Sequence, residues 1–188
     1  MSAVLPTVAT LADLARFDGK AELIAGMVVP LMPTGFQPGR IGGRIFRSLD
    51  DHAQRIGRGV ALPDNVGFAV AELSSGRESF APDASYFMGA LPSNEMDFVE
   101  GAPTLAVEVR SKGDYGDAAE EALAAKRADY FEAGTAVVWD VDPIADCIRV
   151  YRPNAPDHPD VFVSGQTADA EPAVPGWRVT VDEILASP

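Results

Sequence analysis

Two apolar runs separated by a helix-forming stretch constrain the fold of this chain more than any other feature. The runs Leu105–Val109 and Ala136–Val141 are dense in the residue types that fill central strands. Between them lies a stretch rich in Ala, Glu and Lys, from about Asp117 to Ala133, which ends at Gly134 and predicts a helix. Strand, helix and strand in this order imply a crossover connection. We therefore predict an α/β (α+β) fold in which helices flank a mixed β-sheet.

The amino-terminal part predicts shorter elements. Thr10 is a suitable N-cap for a short helix that runs to about Phe17. The segment Ala21–Val29 predicts a β-hairpin that turns at Ala25-Gly26. From Arg40 to Ile56, apolar residues recur at helical spacing with arginines between them, which predicts an amphipathic helix.

The remaining strands and the domain limits follow from local composition and length. Further strands are predicted at Val66–Val70, Ala84–Met88, Ile148–Tyr151 and Val161–Val163. A chain of 188 residues fits one domain over residues 1–188, with a core at about 20–152 and a C-terminal extension at 153–188. Within that extension, we expect Trp177–Leu185 to dock on the sheet.

Composition excludes several classes of protein and of site. The chain has neither an apolar run long enough to cross a membrane nor a signal-peptide pattern, so we expect a cytoplasmic protein without a membrane partner. Its single Cys147 and its two distant histidines, His52 and His158, do not match a zinc site. His52 falls at a polar helix end, where we expect it to be exposed.

The charge of the chain bears on its partners. A net charge of -13 argues against nucleic acid, because proteins that bind it usually neutralise phosphates with a basic face. The positive charge is nevertheless concentrated, since Arg40, Arg44 and Arg47 lie in one arginine-rich window. A local DNA-binding face in this window remains an expectation.

Two carboxylates stand where sequence alone makes them notable. Glu108 lies within an apolar strand, where a buried carboxylate requires a cation, a metal ion or a hydrogen-bond donor. Its partner could be Arg110 or Lys126, or the residue could face solvent from an edge strand. Asp83 follows Pro82 at the head of another strand, where it could equally be a turn or cap residue.

The order of several motifs carries more information than any one of them. The motifs are Glu22-Leu23-Ile24-Ala25-Gly26, Pro82-Asp83, Glu108-Val109-Arg110-Ser111, Lys126-Arg127-Ala128-Asp129-Tyr130, and Val138-Trp139-Asp140-Val141-Asp142-Pro143. This set resembles the Uma2 family, which belongs to the PD-(D/E)xK restriction-endonuclease-like group. The resemblance covers roughly residues 22–151.

The resemblance implies a fold, a metal site and a reaction. It implies a mixed β-sheet core in which Asp83 and Glu108 on adjacent strands hold Mg²⁺ or Mn²⁺. Such ions accept one or two carboxylates together with water and a substrate phosphate. The reaction that the resemblance implies is Mg²⁺-dependent hydrolysis of DNA phosphodiester bonds.

The sequence departs from the family pattern at the third catalytic position. Two residues after the second acid the group carries Lys, whereas this chain has Arg110, which cannot readily accept a proton. Uma2-like sequences often carry the lysine in the following helix, where Lys126 matches. We prefer Lys126 as the catalytic cation, with Arg110 as the alternative and Lys112 as a weaker candidate. A solvated Lys126 that pairs with Asp129 is the alternative to that role.

Two further positions concern the edge of the site. The resemblance implies that Glu22 borders the metal, although an exposed hairpin residue is an equally good interpretation. The family commonly carries a histidine in the loop before the basic helix, where this chain reads Gly35-Phe36-Gln37-Pro38-Gly39-Arg40. Any role of that histidine is lost or has moved.

Three functions are consistent with the sequence. The first is a Mg²⁺-dependent DNA endonuclease, which could act as a homodimer by analogy with restriction enzymes. The second is a catalytically weak or inactive member of the same fold that serves as a binding or interaction module. The third is a metal-dependent enzyme for a small phosphorylated substrate, which would tolerate a negative surface better than duplex DNA would.

Overall fold

The fold is described from a computed structural model that covers residues 8–187, so the predicted domain limits at residues 1 and 188 lie outside it. Within this range the elements are α1 (Leu11–Leu14), β1 (Ala21–Ile24), β2 (Met27–Pro30), α2 (Phe36–Ile56), β3 (Val60–Pro63), β4 (Phe68–Ala69), β5 (Ser79–Phe80), β6 (Ala84–Phe87), β7 (Val99–Glu100), β8 (Leu105–Val109), α3 (Asp117–Glu132), β9 (Val137–Asp142), β10 (Cys147–Arg152), β11 (Ala155–Val163), β12 (Thr167–Asp169), β13 (Arg178–Thr180) and α4 (Val181–Leu185). None of the helices in this range is long and apolar enough to cross a membrane.

A six-stranded mixed sheet forms the centre of the molecule, in the order β11-β10-β9-β8-β6-β3. Strands β8 and β9 are parallel, and the other neighbouring pairs are antiparallel. Helix α3 is the crossover between the parallel pair, because parallel neighbours cannot be joined by a tight turn. The predicted mixed sheet with flanking helices is confirmed.

The two faces of the sheet pack against different elements. One face covers Ile41, Ile45 and Leu49, which are spaced one helical turn apart on α2 and are fully buried. The opposite face packs against α3, where Tyr130 is buried and stacks on Phe80 at a centroid distance of 4.1 Å. Alternate residues of β8 therefore point to different cores, and Glu108 faces the α3 side.

The predicted amino-terminal hairpin is confirmed as the pair β1–β2. Its two turn residues, Ala25 and Gly26, both have positive φ angles, 48° and 66°. Positive φ at both central residues matches the right-handed twist of a tight hairpin. This turn fixes the register that directs Glu22 into the protein.

Several predicted boundaries were wrong for identifiable reasons. Helix α2 begins at Phe36 rather than Arg40, because Pro38 lies in the first turn, where its missing N–H has no partner to lose. Helix α1 ends at Leu14 rather than near Phe17. Strand β4 is limited to Phe68–Ala69. Strand β11 extends from Ala155, well before the predicted Val161, because an edge strand tolerates the two prolines in it.

The C-terminal extension packs into the main core. Trp177 is 2% exposed, lies 4.8 Å from Trp139 between ring centroids, and donates a hydrogen bond from Nε1 to Ser48 Oγ at 3.1 Å. Ile184 and Leu185 of α4 are buried in the same cluster. Trp177 and α4 of the extension thus complete the core on the α2 side of the sheet.

Candidate active site

The pairing of β6 with β8 brings Asp83 and Glu108 to one end of the sheet. Ala84 pairs with Val107, so Asp83 lies just before β6 and beside the end of β8. The main-chain N–H of Asp83 donates to the Val107 carbonyl at 3.0 Å, and Asp83 Oδ2 accepts from the N–H of Val109 at 2.8 Å. Both bonds hold the Asp83 carboxylate next to the strand that carries Glu108.

A glycine of α2 permits the close approach of this helix to Asp83. A Cβ atom at Gly42 would lie 3.3 Å from the Asp83 main-chain oxygen, which is tighter than an ordinary contact. A side chain at this position would require the Asp83 main chain or the helix to shift by a few tenths of an ångström. Gly42 is therefore part of the local sequence that places the first carboxylate.

Lys126 of α3 supplies the cation nearest to the second carboxylate. Its Nζ atom lies 2.9 Å from Glu108 Oε1 and 3.1 Å from Glu22 Oε1. Burial lowers the pKa of Lys126, but the carboxylates of Glu108 and Glu22 outweigh this effect and raise it above its ordinary value. The ammonium form of Lys126 is therefore favoured, and its partners are Glu108 and Glu22 rather than Asp129.

Glu22 is buried, which excludes its interpretation as an exposed hairpin residue. Burial alone would raise its pKa, but the charges of Lys126 and Arg77, with the N–H of Ala81 at 3.1 Å, lower it to about 2. Glu22 also pairs with the Arg77 guanidinium, whose Nε donates to Asp129 at 2.8 Å. Glu22 is thus a fixed anion that holds Lys126 in place.

Tyr130, one turn after Lys126 on α3, orients Glu108. Its hydroxyl group donates a 2.6 Å hydrogen bond to Glu108 Oε1. Burial raises the pKa of Glu108, and the nearby carboxylates of Asp83 and Glu22 raise it further against the opposing effect of Lys126. Glu108 is consequently held close to other negative charges, and a positive ion at this position would relieve the repulsion.

Lys20 is a second cation at the site, and it was missed in the sequence. Its Nζ lies 3.0 Å from Asp83 Oδ1 and 2.5 Å from Asp64 Oδ1. Lys20 precedes Glu22 by two residues, and strand alternation places such residues on one side, which is the signal that could have found it. Arg77 was also missed, because it lies in a loop without any recognisable pattern.

Arg110 does not point to the carboxylate pair. Its guanidinium donates to both carboxylate oxygens of Asp140 at 2.7 Å and pairs with Glu120 on α3. Asp140 is the strand partner of Glu108 across the parallel pair β8–β9. The alternative catalytic cation is thus engaged in a separate buried ion pair. Lys112 is exposed beyond the end of β8.

The site carries more negative than positive charge. Three cations, Lys20, Arg77 and Lys126, are bonded to the five carboxylates Glu22, Asp64, Asp83, Glu108 and Asp129. Among residues 8–187, no group of three or more Asp, Glu, His or Cys side chains is arranged as a complete protein-only metal site. Two carboxylates in a negatively charged cleft fit Mg²⁺ or Mn²⁺, which retain water and share their coordination with a substrate phosphate.

The carboxylate pair opens into a cleft of about 930 Å³. Lys20, Asp83, Glu108 and Lys126 all line it. The candidate groups are therefore accessible to a ligand that enters from solvent.

The predicted arginine face is largely engaged in holding the C-terminus. Arg44 donates to the main-chain oxygens of Ile184 and Ala186 at 3.0 and 2.5 Å, and Arg40 reaches the Ala186 oxygen at 3.3 Å. Arg47 remains exposed. His52 is buried rather than exposed, because the C-terminal segment covers it and its Nε2 lies 3.1 Å from the Pro175 carbonyl oxygen.

The chain matches a family model and is similar to a solved structure. A family model described as "Uma2: Putative restriction endonuclease" matches residues 8–182. A crystal structure of a protein from Anabaena variabilis, described as "a putative nuclease belonging to DUF820", is similar with a TM-score of 0.71 and 18% sequence identity. The similarity covers 94% of this chain and 97% of that one. No curated protein matches the chain.

Proposed function

The chain belongs to the Uma2 family of restriction-endonuclease-like proteins, and on this premise we propose that it is a Mg²⁺- or Mn²⁺-dependent endonuclease that hydrolyses DNA phosphodiester bonds. The family and the fold support a nuclease-like function in general. The observation that carries the finer proposal is the convergence of Asp83, Glu108 and Lys126 at one end of an open cleft.

Asp83 and Glu108 would hold the divalent ion through their carboxylate oxygens. When bound, such an ion supplies Lewis-acid polarisation of a phosphate and a water of lowered pKa. The N–H of Val109 and the hydroxyl group of Tyr130 keep the two carboxylates oriented before the ion arrives. This preorganisation reduces the entropic cost of assembling the site.

Lys126 would stabilise the negative charge that develops on the phosphate during attack. Its raised pKa keeps it protonated, so it acts as a positive charge and not as a general base. Glu22 and Arg77 position it by forming a continuous chain of ion pairs. Lys20, beside Asp83, is a second candidate for contact with the phosphate.

A cleavage assay tests this proposal. Supercoiled plasmid and single-stranded DNA are incubated with the protein in Mg²⁺ or Mn²⁺, beside Asp83→Ala, Glu108→Ala and the matched control Asp97→Ala at an exposed position outside the cleft. We expect cleavage by the wild type and by the control alone. Cleavage that persists in both site variants would overturn the proposal.

The competing function is a binding module that retains the metal site without cleavage. Its support is the acidic surface of the chain and the engagement of Arg110 away from the carboxylate pair. An increase in melting temperature with Mn²⁺ in the wild type only, without any cleavage, would favour this function, because only a ligand of the native state stabilises it. Action as a homodimer stays a prediction.

A further inference from the structure

The residues that line the cleft include two groups of different chemistry. One group, here called the ionic wall, is the ionic site already described. The other, here called the apolar wall, consists of Phe17, Val29, Leu31, Met32 and Pro33, which come from the segment before the hairpin, from β2 and from the segment after β2. Phe17 is 39% exposed and Met32 is 84% exposed, so both side chains are available to a ligand.

The cations that line the cleft do not form a surface for duplex DNA. Lys20, Arg77, Arg110 and Lys126 are the basic residues among its lining residues, and each is already bonded to a carboxylate. A duplex presents the phosphates of both strands at close spacing and requires several free Lys or Arg side chains to replace its counterions.

The remaining charges around the cleft strengthen this argument. Asp18, Asp64 and Asp114 also line it and would repel a second phosphate backbone. The arginines of α2 do not compensate, because Arg40 and Arg44 donate to main-chain oxygens of the C-terminal segment.

We propose that the cleft accepts one nucleic-acid strand at a time, with its bases against the apolar wall and one phosphate at the ionic wall. This inference rests on the proposed nuclease function and adds its substrate class. Bases that pack on aromatic and apolar side chains gain stacking and burial energy regardless of sequence. A single strand therefore gains affinity from its contact with the apolar wall. A duplex cannot make this contact, and the negative charges of Asp18, Asp64 and Asp114 repel its second strand.

We infer a nucleic-acid strand rather than an unrelated apolar ligand because the apolar wall and the ionic wall line one cleft. Once a divalent ion adds positive charge at Asp83 and Glu108, a ligand that spans this cleft is apolar on one side and anionic on the other. A nucleotide chain with unpaired bases meets both requirements at once, whereas a duplex hides its base faces in the stack.

Binding in Ca²⁺ tests the inference without relying on cleavage. Fluorescein-labelled single strands and duplexes of one mixed sequence, in DNA and RNA versions, are titrated with the protein and followed by anisotropy. We expect about tenfold or tighter binding of single strands than of duplexes. Because only one phosphate is contacted, binding should depend less on salt than it does for proteins that neutralise many phosphates. Tighter binding of either duplex would overturn the inference, whereas preference for the single strand in one or both nucleic acids would support it.

Matched variants locate the bound strand. Phe17→Ala combined with Met32→Ala removes two exposed side chains of the apolar wall, and Met96→Ala removes a side chain that is 90% exposed elsewhere. We expect the double variant to bind single strands about tenfold or more weakly and the control to bind as the wild type does. Equal binding by all three proteins, with unchanged melting temperatures, would contradict a role for this wall.

The outcome separates this inference from the proposed function. Single strands that bind through the apolar wall but are never cut would leave the inference standing and remove the nuclease proposal. Metal-dependent cleavage that is lost in Asp83→Ala, with equal binding of strands and duplexes, would retain the nuclease and remove the inference.

Discussion

The ammonium group of Lys126 lies 2.9 Å from the carboxylate of Glu108, across the contact between α3 and β8. This ion pair joins the helix of the crossover to the strand that precedes it. Because Glu22 lies 3.1 Å from the same ammonium group, Lys126 connects the amino-terminal hairpin to the sheet as well. One side chain thus combines a structural contact with the charge that the proposed chemistry requires.

Replacement of Lys126 separates its charge from its packing. We expect Lys126→Met to reduce the cleavage rate about 10²- to 10³-fold, as loss of a preorganised transition-state contact does, and Lys126→Arg to retain part of the activity. Lys112→Met, at an exposed lysine beyond β8, serves as the matched control. A Lys126→Met protein that cleaves at the wild-type rate per folded molecule would exclude this role.

Replacement by Gln is expected to affect the free energy of unfolding differently at Glu22 and at Glu108, the two glutamates that contact Lys126. The folded-state pKa of Glu22 is lowered from 4.5 to about 2, so its ionised form stabilises the fold above pH 4.5, and this contribution is lost as the pH falls toward 2. Burial and the neighbouring carboxylates raise the pKa of Glu108 above 4.5, so its ionisation lowers the free energy of unfolding as the pH rises from 4.5 through that raised value.

Urea denaturation at pH 7 and pH 4 measures this difference. At pH 7 we expect Glu22→Gln to lower the free energy of unfolding by about 3 kcal/mol and Glu108→Gln to leave it unchanged or raise it. At pH 4 the effect of Glu108→Gln should vanish, because the wild-type carboxyl is then protonated. Equal destabilisation by both variants at pH 7 would contradict the opposite pKa shifts.

Arg110 occupies the position, two residues after Glu108, where the family group carries its catalytic lysine, so its replacement tests whether this position takes part in catalysis. Arg110→Lys keeps the positive charge but loses the two-pronged contact with buried Asp140, so we expect unfolding to become easier by about 1–3 kcal/mol. The cleavage rate per folded molecule should change little. A large loss of rate at unchanged stability would instead assign Arg110 to the phosphate.

The role of Lys20 is visible in metal affinity. Its ammonium group lies 3.0 Å from Asp83 Oδ1, where it competes with any other cation for that carboxylate. We expect Lys20→Gln to bind Mn²⁺ about two- to fivefold more tightly, which corresponds to an ion pair of about 1 kcal/mol or less. Weaker binding than in the parallel Lys112→Gln control would show that Lys20 does not compete.

Sequence reasoning singled out Asp83 and Glu108 through the order of several motifs, because each residue alone has an ordinary alternative interpretation. Glu108 stands in an apolar strand, and physical chemistry requires that such a residue find a partner. The choice between Arg110 and Lys126 depends on the register of β8 against β9, which pairs Asp140 with Glu108 and leaves the Asp140 carboxylate within reach of Arg110. This register is set by distant parts of the chain. Local patterns do not contain this information.

Sequence reasoning missed other residues for the same reason, because their contacts are made with distant parts of the chain. Lys20 and Arg77 lie outside the helices and strands. Lys20 pairs with Asp64 and Asp83, and Arg77 pairs with Glu22 and Asp129. The burial of His52 likewise depends on the C-terminal segment, which follows it by more than a hundred residues. Local sequence patterns predicted the order of most helices and strands, but they did not predict the contacts between the ends of those elements.

Calorimetric titration with Mn²⁺ tests the carboxylate site most directly, because it detects the ion and does not depend on a substrate. The wild type is compared with Asp83→Asn, Glu108→Gln and the exposed control Asp97→Asn, after melting curves have established that each variant is folded. We expect one Mn²⁺ to bind to the wild type and to the control, and binding to be lost in each site variant. Unchanged Mn²⁺ binding in both Asp83→Asn and Glu108→Gln would show that these carboxylates do not hold the metal.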